Sequence, residues 1–488
     1  MAASAIMIQG TGSNVGKSLV AAGLCRYFSN AGLTVLPFKP QNMSNNAAVT
    51  PEGGEIGRAQ ALQAMACRIP ASIHMNPVLL KPETDVGAQI IVQGQRYGTM
   101  RAREYGRYKS ELLPKVLESF EILQQRADLV IVEGAGSPAE INLRQGDIAN
   151  MGFAEAADLP VLLVGDIDRG GIIASLVGTH AVLEPAEKAR IRGFMINRFR
   201  GDPSLFDSGL EEIQKRTGWK STGVLPWFDK ASLLPAEDAL GLADGRSRAE
   251  GSMKVVVPVI SRIANFDDLD PLRMEPGIDL VLVNAGEALP GDADLVLLPG
   301  TKSTIGDLAY FRAQGWDVDL HAHVRRGGRV LGICGGLQML GRSIADPEGI
   351  EGPPGTIKGL GHLDIETVLV KEKTVTAAKG QHLASGEALS GYEIHLGKST
   401  GPDCDRPFAR LNGTVDGAVS RNGQIAGTYL HGLFAADGFR RTLMEDHPAG
   451  RAIDYEQTVE DTIEALATHM SEHLDLDGIL GIARAKAS

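Results

Sequence analysis

The run Gly332-Ile333-Cys334-Gly335-Gly336 places a thiol among small residues. It follows the apolar segment Val330–Ile333 and precedes a helical pattern, Leu337–Gly341. A G-x-C-x-G turn from strand to helix is a nucleophile elbow: its glycines tolerate a strained backbone, and the helix N-terminus favours the reactive thiolate. Such a sulfur attacks a carbonyl carbon. The backbone N–H of Gly335 is placed to hold the oxyanion that forms. A base must sit beside the thiol, and His431, closing the strand-like run Gly427–Leu430, is the candidate. The turn Leu298-Pro299-Gly300-Thr301-Lys302-Ser303 follows another apolar run, and Gly300 is the candidate second oxyanion donor. His395 has no part that local context assigns. Cys25, Cys67 and Cys404 lack an elbow and read as small buried hydrophobes.

A second constellation lies near the start. Gly10-Thr11-Gly12-Ser13-Asn14-Val15-Gly16-Lys17-Ser18 follows the apolar run Ala5–Gln9 and opens a helix. Glycines let successive N–H groups turn towards phosphate oxygens, and the helix N-terminus adds partial positive charge. Gly12, Asn14, Val15 and Gly16 would form the cradle for ATP. Lys17 would neutralise its β and γ phosphates, and Ser18 would ligate Mg²⁺. The spacing departs from GxxxxGK[ST], because Thr11 stands where the first glycine belongs. Asp128–Gly136 reads as a buried strand that ends in Glu133 and a glycine turn. Ligands of parallel sheets sit at the carboxyl ends of strands, which makes Glu133 a second Mg²⁺ partner. Asn197, after Phe194–Ile196, is placed to read the adenine edge. Lys39, after a further strand, is a candidate contact for an anionic substrate. The basic run Arg101, Arg103, Arg107 and Lys109 reads better as a solvated helix face.

Elements able to hold these residues recur along the chain. Apolar runs at Ala5–Gln9, Leu129–Val132, Val161–Val164 and Phe194–Ile196 alternate with helical patterns. A second series comprises Val255–Ile260, Leu280–Asn284, Leu295–Leu298 and Val330–Ile333. This rhythm predicts two doubly wound α/β domains. Gly241–Met253, rich in Gly, Asp, Arg and Ser, reads as a linker. The expected division is 1–245, an ATP-dependent synthetase domain, and 252–450, the Cys/His domain. Residues 451–488 are expected to form a helical extension of the second domain. At 488 residues the chain is long enough for two or three cores. A net charge of −12 argues against a nucleic-acid partner. No apolar run approaches the ~20 residues of a membrane span, and Met1–Gly10 does not read as a signal peptide. Four dispersed cysteines suit a reducing cytoplasm.

Longer motifs connect the two halves. They are Phe38-Lys39-Pro40-Gln41-Asn42-Met43-Ser44-Asn45-Asn46, Gly54–Gln60, Asn76–Pro82, Gly165–Gly171 and Gly391–His395. With these, the first half resembles the dethiobiotin-synthetase-like P-loop group, and the second resembles class I glutamine amidotransferases. End to end the chain is similar to the cobyric acid synthase family. That resemblance implies that Cys334 and His431 hydrolyse glutamine. It also implies a corrinoid polycarboxylate substrate, adenosylcobyrinic acid a,c-diamide, amidated at its b, d, e and g carboxylates at the cost of ATP. Gln41 and Asn42 join Lys39 as implied substrate contacts. Many class I amidotransferases carry Glu two residues after the catalytic His; Leu433 stands there, so no residue is assigned to orient His431. The rival readings are a sister ligase, such as cobyrinic acid a,c-diamide synthase, and a partition-type P-loop ATPase switch. Thr11, where the partition ATPases have a signature Lys, and the Cys/His half speak against the switch.

Overall fold

The computed structural model describes residues 3–83, 87–235, 252–445, 447 and 453–485. In the first unit, apolar runs form the strands β1 (Ser4–Gly10) and β2 (Val35–Phe38), with helix α1 (Lys17–Asn30) between them. Then come β3 (Gln41–Met43), α2 (Arg58–Ala66), β4 (Val78–Pro82), β5 (Gly87–Val92), β6 (Gln95–Arg101) and α3 (Ala102–Gln124). The unit continues with β7 (Leu129–Glu133), β8 (Val161–Asp166), α4 (Ile172–Val182), β9 (Ile191–Phe199) and β10 (Lys220–Pro226). One sheet has the order β10-β9-β8-β1-β7-β2, and every pairing in it is parallel. Its central strands are buried throughout, as the unbroken apolar runs require. A smaller sheet, β3-β4-β5-β6, is parallel only between β3 and β4. It has no counterpart in the sequence reading, because its strands are short and mix polar with apolar residues.

The second unit repeats the plan. It contains β11 (Met253–Pro258), β12 (Ile278–Val283), β13 (Leu295–Leu298), α5 (Thr304–Ala313), β14 (Arg329–Ile333) and α6 (Gly335–Leu340). After these come β15 (Ser343–Asp346), β16 (Gly355–Lys358), β17 (Glu366–His382), β18 (Ala388–Thr400) and β19 (Ile425–Thr428). The parallel sheet runs β12-β11-β13-β14-β19, with Ala418–Val419 antiparallel at its edge. The long β17–β18 hairpin forms a second sheet, to which Leu430–His431 adds an antiparallel strand. Both units are therefore α/β with a parallel core, as the strand rhythm predicts.

The division of the chain differs from the expected one in two places. The first unit comprises the residues up to Ser44, Gly54–Pro235 and the residues from Val459 onward; the second takes Asn45–Gly53 and the residues up to Thr458. The linker expected at 241–253 lies outside the described residues up to 251, and Met253 already belongs to β11. The terminal helices α7 (Tyr455–His473) and α8 (Leu476–Arg484) were expected to extend the second domain. Instead, from Val459 they complete the first. The reason is a buried cation. Arg26 on α1 is fully buried, and its guanidinium reaches Glu460 at 2.5 and 2.8 Å and Glu464 at 3.1 Å. Its Nε donates to the Ala66 carbonyl at 2.8 Å. A buried guanidinium must have such partners. Beside it, α7 lies so close to α1 that a methyl group at Gly23 would overlap Met470 Sδ and stand 3.1 Å from Leu466 Cγ. Gly23→Ala is therefore expected to lower stability by about 1–3 kcal/mol, read as a reduced midpoint in urea unfolding.

Candidate active site

Cys334 stands between β14 and α6 with φ 52° and ψ −107°. A non-glycine residue rarely holds a positive φ, and the cost is maintained only where surrounding structure enforces it. The enforcement is visible. The Cys334 N–H donates to the Thr428 carbonyl at 2.8 Å. A methyl group at Gly332 would come within 2.6 Å of Gly336 C and Leu337 N. One at Gly336 would overlap the Leu298 carbonyl. The glycines of the elbow are therefore fixed by close backbone approach.

His431 is buried, and Gly300 packs directly on its ring: a methyl group there would lie 2.7 Å from His431 Cε1. A methyl group at Gly335 would overlap the Thr301 side chain, so the 300–301 turn adjoins the elbow. Asp307 on α5 holds that turn. It accepts from the Thr301 hydroxyl, from Ser261 Oγ at 2.5 Å and from the Arg262 N–H at 3.1 Å. On the other side, Asp416 accepts from the Thr428 hydroxyl and from the Tyr429 N–H at 3.2 Å. Burial pushes the Asp416 carboxyl up to about 6, with the neighbouring Glu393 also raising it. His395 stacks on the Tyr429 ring with centroids 3.9 Å apart, and Tyr392 stacks on His431 at 5.4 Å.

The group that orients His431 is Asp268. Its Oδ2 lies 2.7 Å from His431 Nδ1, and its Oδ1 accepts the Gly432 N–H at 2.6 Å. Asp268 is itself buried, in the short turn Phe266–Leu269. Burial alone would lower the imidazole's pKa. The charge of Asp268, then that of Cys334, outweighs it and raises the value to about 10. Sequence reasoning missed Asp268. The only signal was an acidic run, Asp267, Asp268 and Asp270, shortly after a buried strand.

In the first unit the phosphate loop lies between β1 and α1. Asn14 (φ 60°) and Gly16 (φ 91°) supply its two left-handed residues. A methyl group at Gly10 would lie 2.6 Å from Val15 Cγ2 and 2.9 Å from the Gly12 carbonyl. The indispensable first glycine is thus Gly10, which explains why Thr11 breaks the standard spacing without breaking the loop. Lys17 Nζ donates to the Gly12 and Gly136 carbonyls, each at 3.0 Å. Glu133 gathers the surrounding donors: Ser18 Oγ at 2.7 Å, Lys39 Nζ at 2.8 Å, Gln63 Nε2 at 2.6 Å and Gln60 Nε2 at 3.4 Å. The structure therefore brings Ser18, Glu133 and Lys39 together, and adds two glutamines of α2 that sequence reasoning did not single out. Gln60 closes a quoted motif; nothing marked Gln63.

Three expected contacts take different positions. Asn197 lies under the loop, where its Nδ2 donates to the Val15 carbonyl at 2.8 Å and its Oδ1 accepts the Arg198 N–H at 2.9 Å. Asn42 is 3% exposed and faces Gln60, 3.3 Å away; it stands behind the Glu133 cluster, because Gly57 leaves room for its amide there. Gln41 is half-buried and accepts from Tyr105 Oη at 2.5 Å. Of the basic run, Arg101 and Arg107 are exposed, and the Arg103 side chain lies outside the described residues. Lys81, also within a quoted motif, is buried against Glu55 at 3.0 Å.

Residues 6–240 match the CobQ/CobB/MinD/ParA nucleotide binding domain, and residues 254–439 match the CobB/CobQ-like glutamine amidotransferase domain. Fold and sites thus define a glutamine-hydrolysing carbon–nitrogen ligase that uses ATP. The chain is 60% identical over 484 residues to a cobyric acid synthase of Bradyrhizobium diazoefficiens, covering 99% of this chain and all of that one. It is 60% identical over 478 residues to one of Jannaschia sp., covering 98% and 99%. It is also 60% identical over 481 residues to one of Cereibacter sphaeroides, covering 98% and 100%. The chain belongs to the cobyric acid synthase family, whose activity implies glutamine and a corrinoid substrate. Among the described residues no helix is long and apolar enough to cross a membrane. Because Gly332 abuts Gly336 and Leu337, Gly332→Ala must shift the elbow. Glutamine-dependent synthesis is expected to fall about 10²-fold, while synthesis from added ammonia persists; product formation with either nitrogen source is the measurement.

Proposed function

We propose that the enzyme amidates the b, d, e and g carboxylates of adenosylcobyrinic acid a,c-diamide, using one ATP and one glutamine for each amide. The observation that carries the glutaminase half is the bond between Asp268 and His431, with His431 also interacting with Cys334 at the carboxyl end of β14. Cys334 attacks the glutamine side-chain amide. The N–H groups of Gly335 and of the Gly300 turn hold the oxyanion. His431, kept protonated through the neutral range by Asp268 and Cys334, gives its proton to the departing ammonia. Water then releases glutamate from the thioester.

At the other site the loop from Gly12 to Ser18 binds the ATP phosphates, with Lys17 as their cation. Asn197 has one amide hydrogen on Val15. The other, with the second lone pair of its carbonyl oxygen, remains for the purine edge. Ser18 and Glu133 present adjoining oxygens, which suit a hard cation. They would hold Mg²⁺, which neutralises phosphate charge when bound. Lys39, on the same carboxylate, is the cation nearest to that chemistry and orients the substrate carboxylate. Gln41 is the neighbouring polar contact, and Asn42 is a positioning residue acting through Gln60. The carboxylate takes the γ-phosphoryl group as an acyl phosphate, and ammonia displaces phosphate from it.

Mass spectrometry of the corrinoid product tests this reading. The wild type is expected to give four successive losses of about 1 Da as OH is replaced by NH₂. Cys334→Ala should do so only with added ammonia, and an alanine variant fully active on glutamine would sink the assignment.

Asp268→Asn is expected to lower glutamine hydrolysis by about 10²–10⁴-fold and to leave ammonia-dependent synthesis intact. A histidine whose pKa is raised on folding stabilises the fold most at low pH. The contribution of the pair is full below about pH 6.5, the ordinary histidine value. It fades as pH rises through about 10. The stability gap between wild type and Asp268→Asn should therefore narrow across that window, measured by denaturant titration at successive pH values.

A further inference from the structure

The turn that carries Asp268 is held by residues from far upstream. Asn265 opens it in the left-handed region, φ 52°. The first N–H groups of a helical turn have no acceptor within it. That of Phe266 donates to Asn46 Oδ1 at 3.2 Å, across 220 residues of sequence. Reciprocally, the Ala47 N–H donates to Asn265 Oδ1 at 3.1 Å. Asn46 and Asn265 are both buried, at 0% and 3% exposure. Two residues beyond Phe266 stands Asp268, whose two oxygens fix the His431 ring and the Gly432 N–H.

The same stretch of chain begins at the other site. Lys39 pairs with Glu133, Gln41 bonds Tyr105 and Asn42 faces Gln60. Gln41–Met43 and Ala47–Val49 are both strand, and only three residues, Ser44 to Asn46, join them along the chain. We propose that Asn46 and Asn265 are positioning residues for the glutaminase, and that Lys39–Ala47 is a covalent strut carrying the state of the ATP site to Asp268. The inference rests on the reading of Cys334 and His431 as the glutaminase pair. A shift of Lys39 or Gln41 on loading of ATP and the corrinoid acid reaches Asn46 through the backbone. It changes the hold on the start of the Phe266–Leu269 turn, and with it the grip of Asp268 on His431.

The test uses the full-length chain and glutamine hydrolysis, assayed with and without ATP plus corrinoid acid. In the wild type, kcat should rise on loading. Asn46→Ala should lower the loaded kcat about tenfold, leave the KM for glutamine within about twofold, and bring the loaded-to-unloaded ratio near one. Asn46→Asp retains an acceptor for Phe266 and should keep most of the response. Should Asn46→Ala fail to fold, Asn265→Gly tolerates the same positive φ, removes only the bond to Ala47 and should also flatten the ratio. An unresponsive wild type, or an Asn46→Ala enzyme that responds as fully as wild type, would overturn the strut. Cys334→Ala run alongside separates the two failures. If it is inactive on glutamine while Asn46→Ala behaves as wild type, only the strut falls. If Cys334→Ala still hydrolyses glutamine, the reading of the site falls.

Discussion

A buried carboxylate is tolerated only when its oxygens are met by donors, and Glu133 is the group around which the nucleotide unit is arranged. It ends the strand beside the phosphate loop and lies 1% exposed. A hydroxyl from the loop, an ammonium from the end of the adjacent strand and two amides from α2 converge on it. The donors come from three separate stretches of sequence. The placement of Ser18, Lys39, Gln60 and Gln63 is therefore one electrostatic problem with one solution. The neutral amides matter as much as the cation: they satisfy the carboxylate without fixing more charge where a polyphosphate must later be accommodated.

The second unit uses the same device with three acids in place of one. Asp268 orients His431, Asp307 binds the turn after β13, and Asp416 binds the Thr428 hydroxyl and the Tyr429 N–H. Each binds a loop that must adopt one shape. A carboxylate accepting N–H and hydroxyl donors gives such a loop a fixed form without regular secondary structure. The strained Cys334 backbone depends on this, because its N–H bonds to the Thr428 carbonyl and Thr428 is held in turn by Asp416.

What was legible in the sequence was local. The elbow, the phosphate loop and the eight apolar strands announced themselves because their chemistry is written in consecutive residues: glycines where backbones touch, and β-branched runs where both faces of a sheet are covered. His431 and Glu133 were legible because each ends such a run. Asp268 was not, since its partner stands 163 residues away and nothing in Asn265–Asp270 distinguishes a catalytic carboxylate from a solvated one. The partners of Asn42 and Asn197 within the fold were not legible either: Asn42 faces Gln60, and Asn197 gives one amide hydrogen to the Val15 carbonyl. The stretch after Gly359 reads as rich in strands and turns, but its pairing was not legible, because hairpins such as β17–β18 alternate polar and apolar residues irregularly and draw their register from long-range contacts.

The return of the chain to the first unit at Val459 bears on how the protein is made. The face of α1 around Gly23, and the guanidinium of Arg26, are covered by residues beyond Val459. A ribosome delivers those residues after the second unit. The nucleotide unit therefore emerges early yet stays unfinished while the whole amidotransferase unit is translated, with an apolar groove and an uncompensated cation in its flank. Termination anywhere in the second unit would leave that flank open. The residues from Val459 onward close it, so a phosphate-binding unit with a finished core is obtained together with its ammonia source rather than ahead of it.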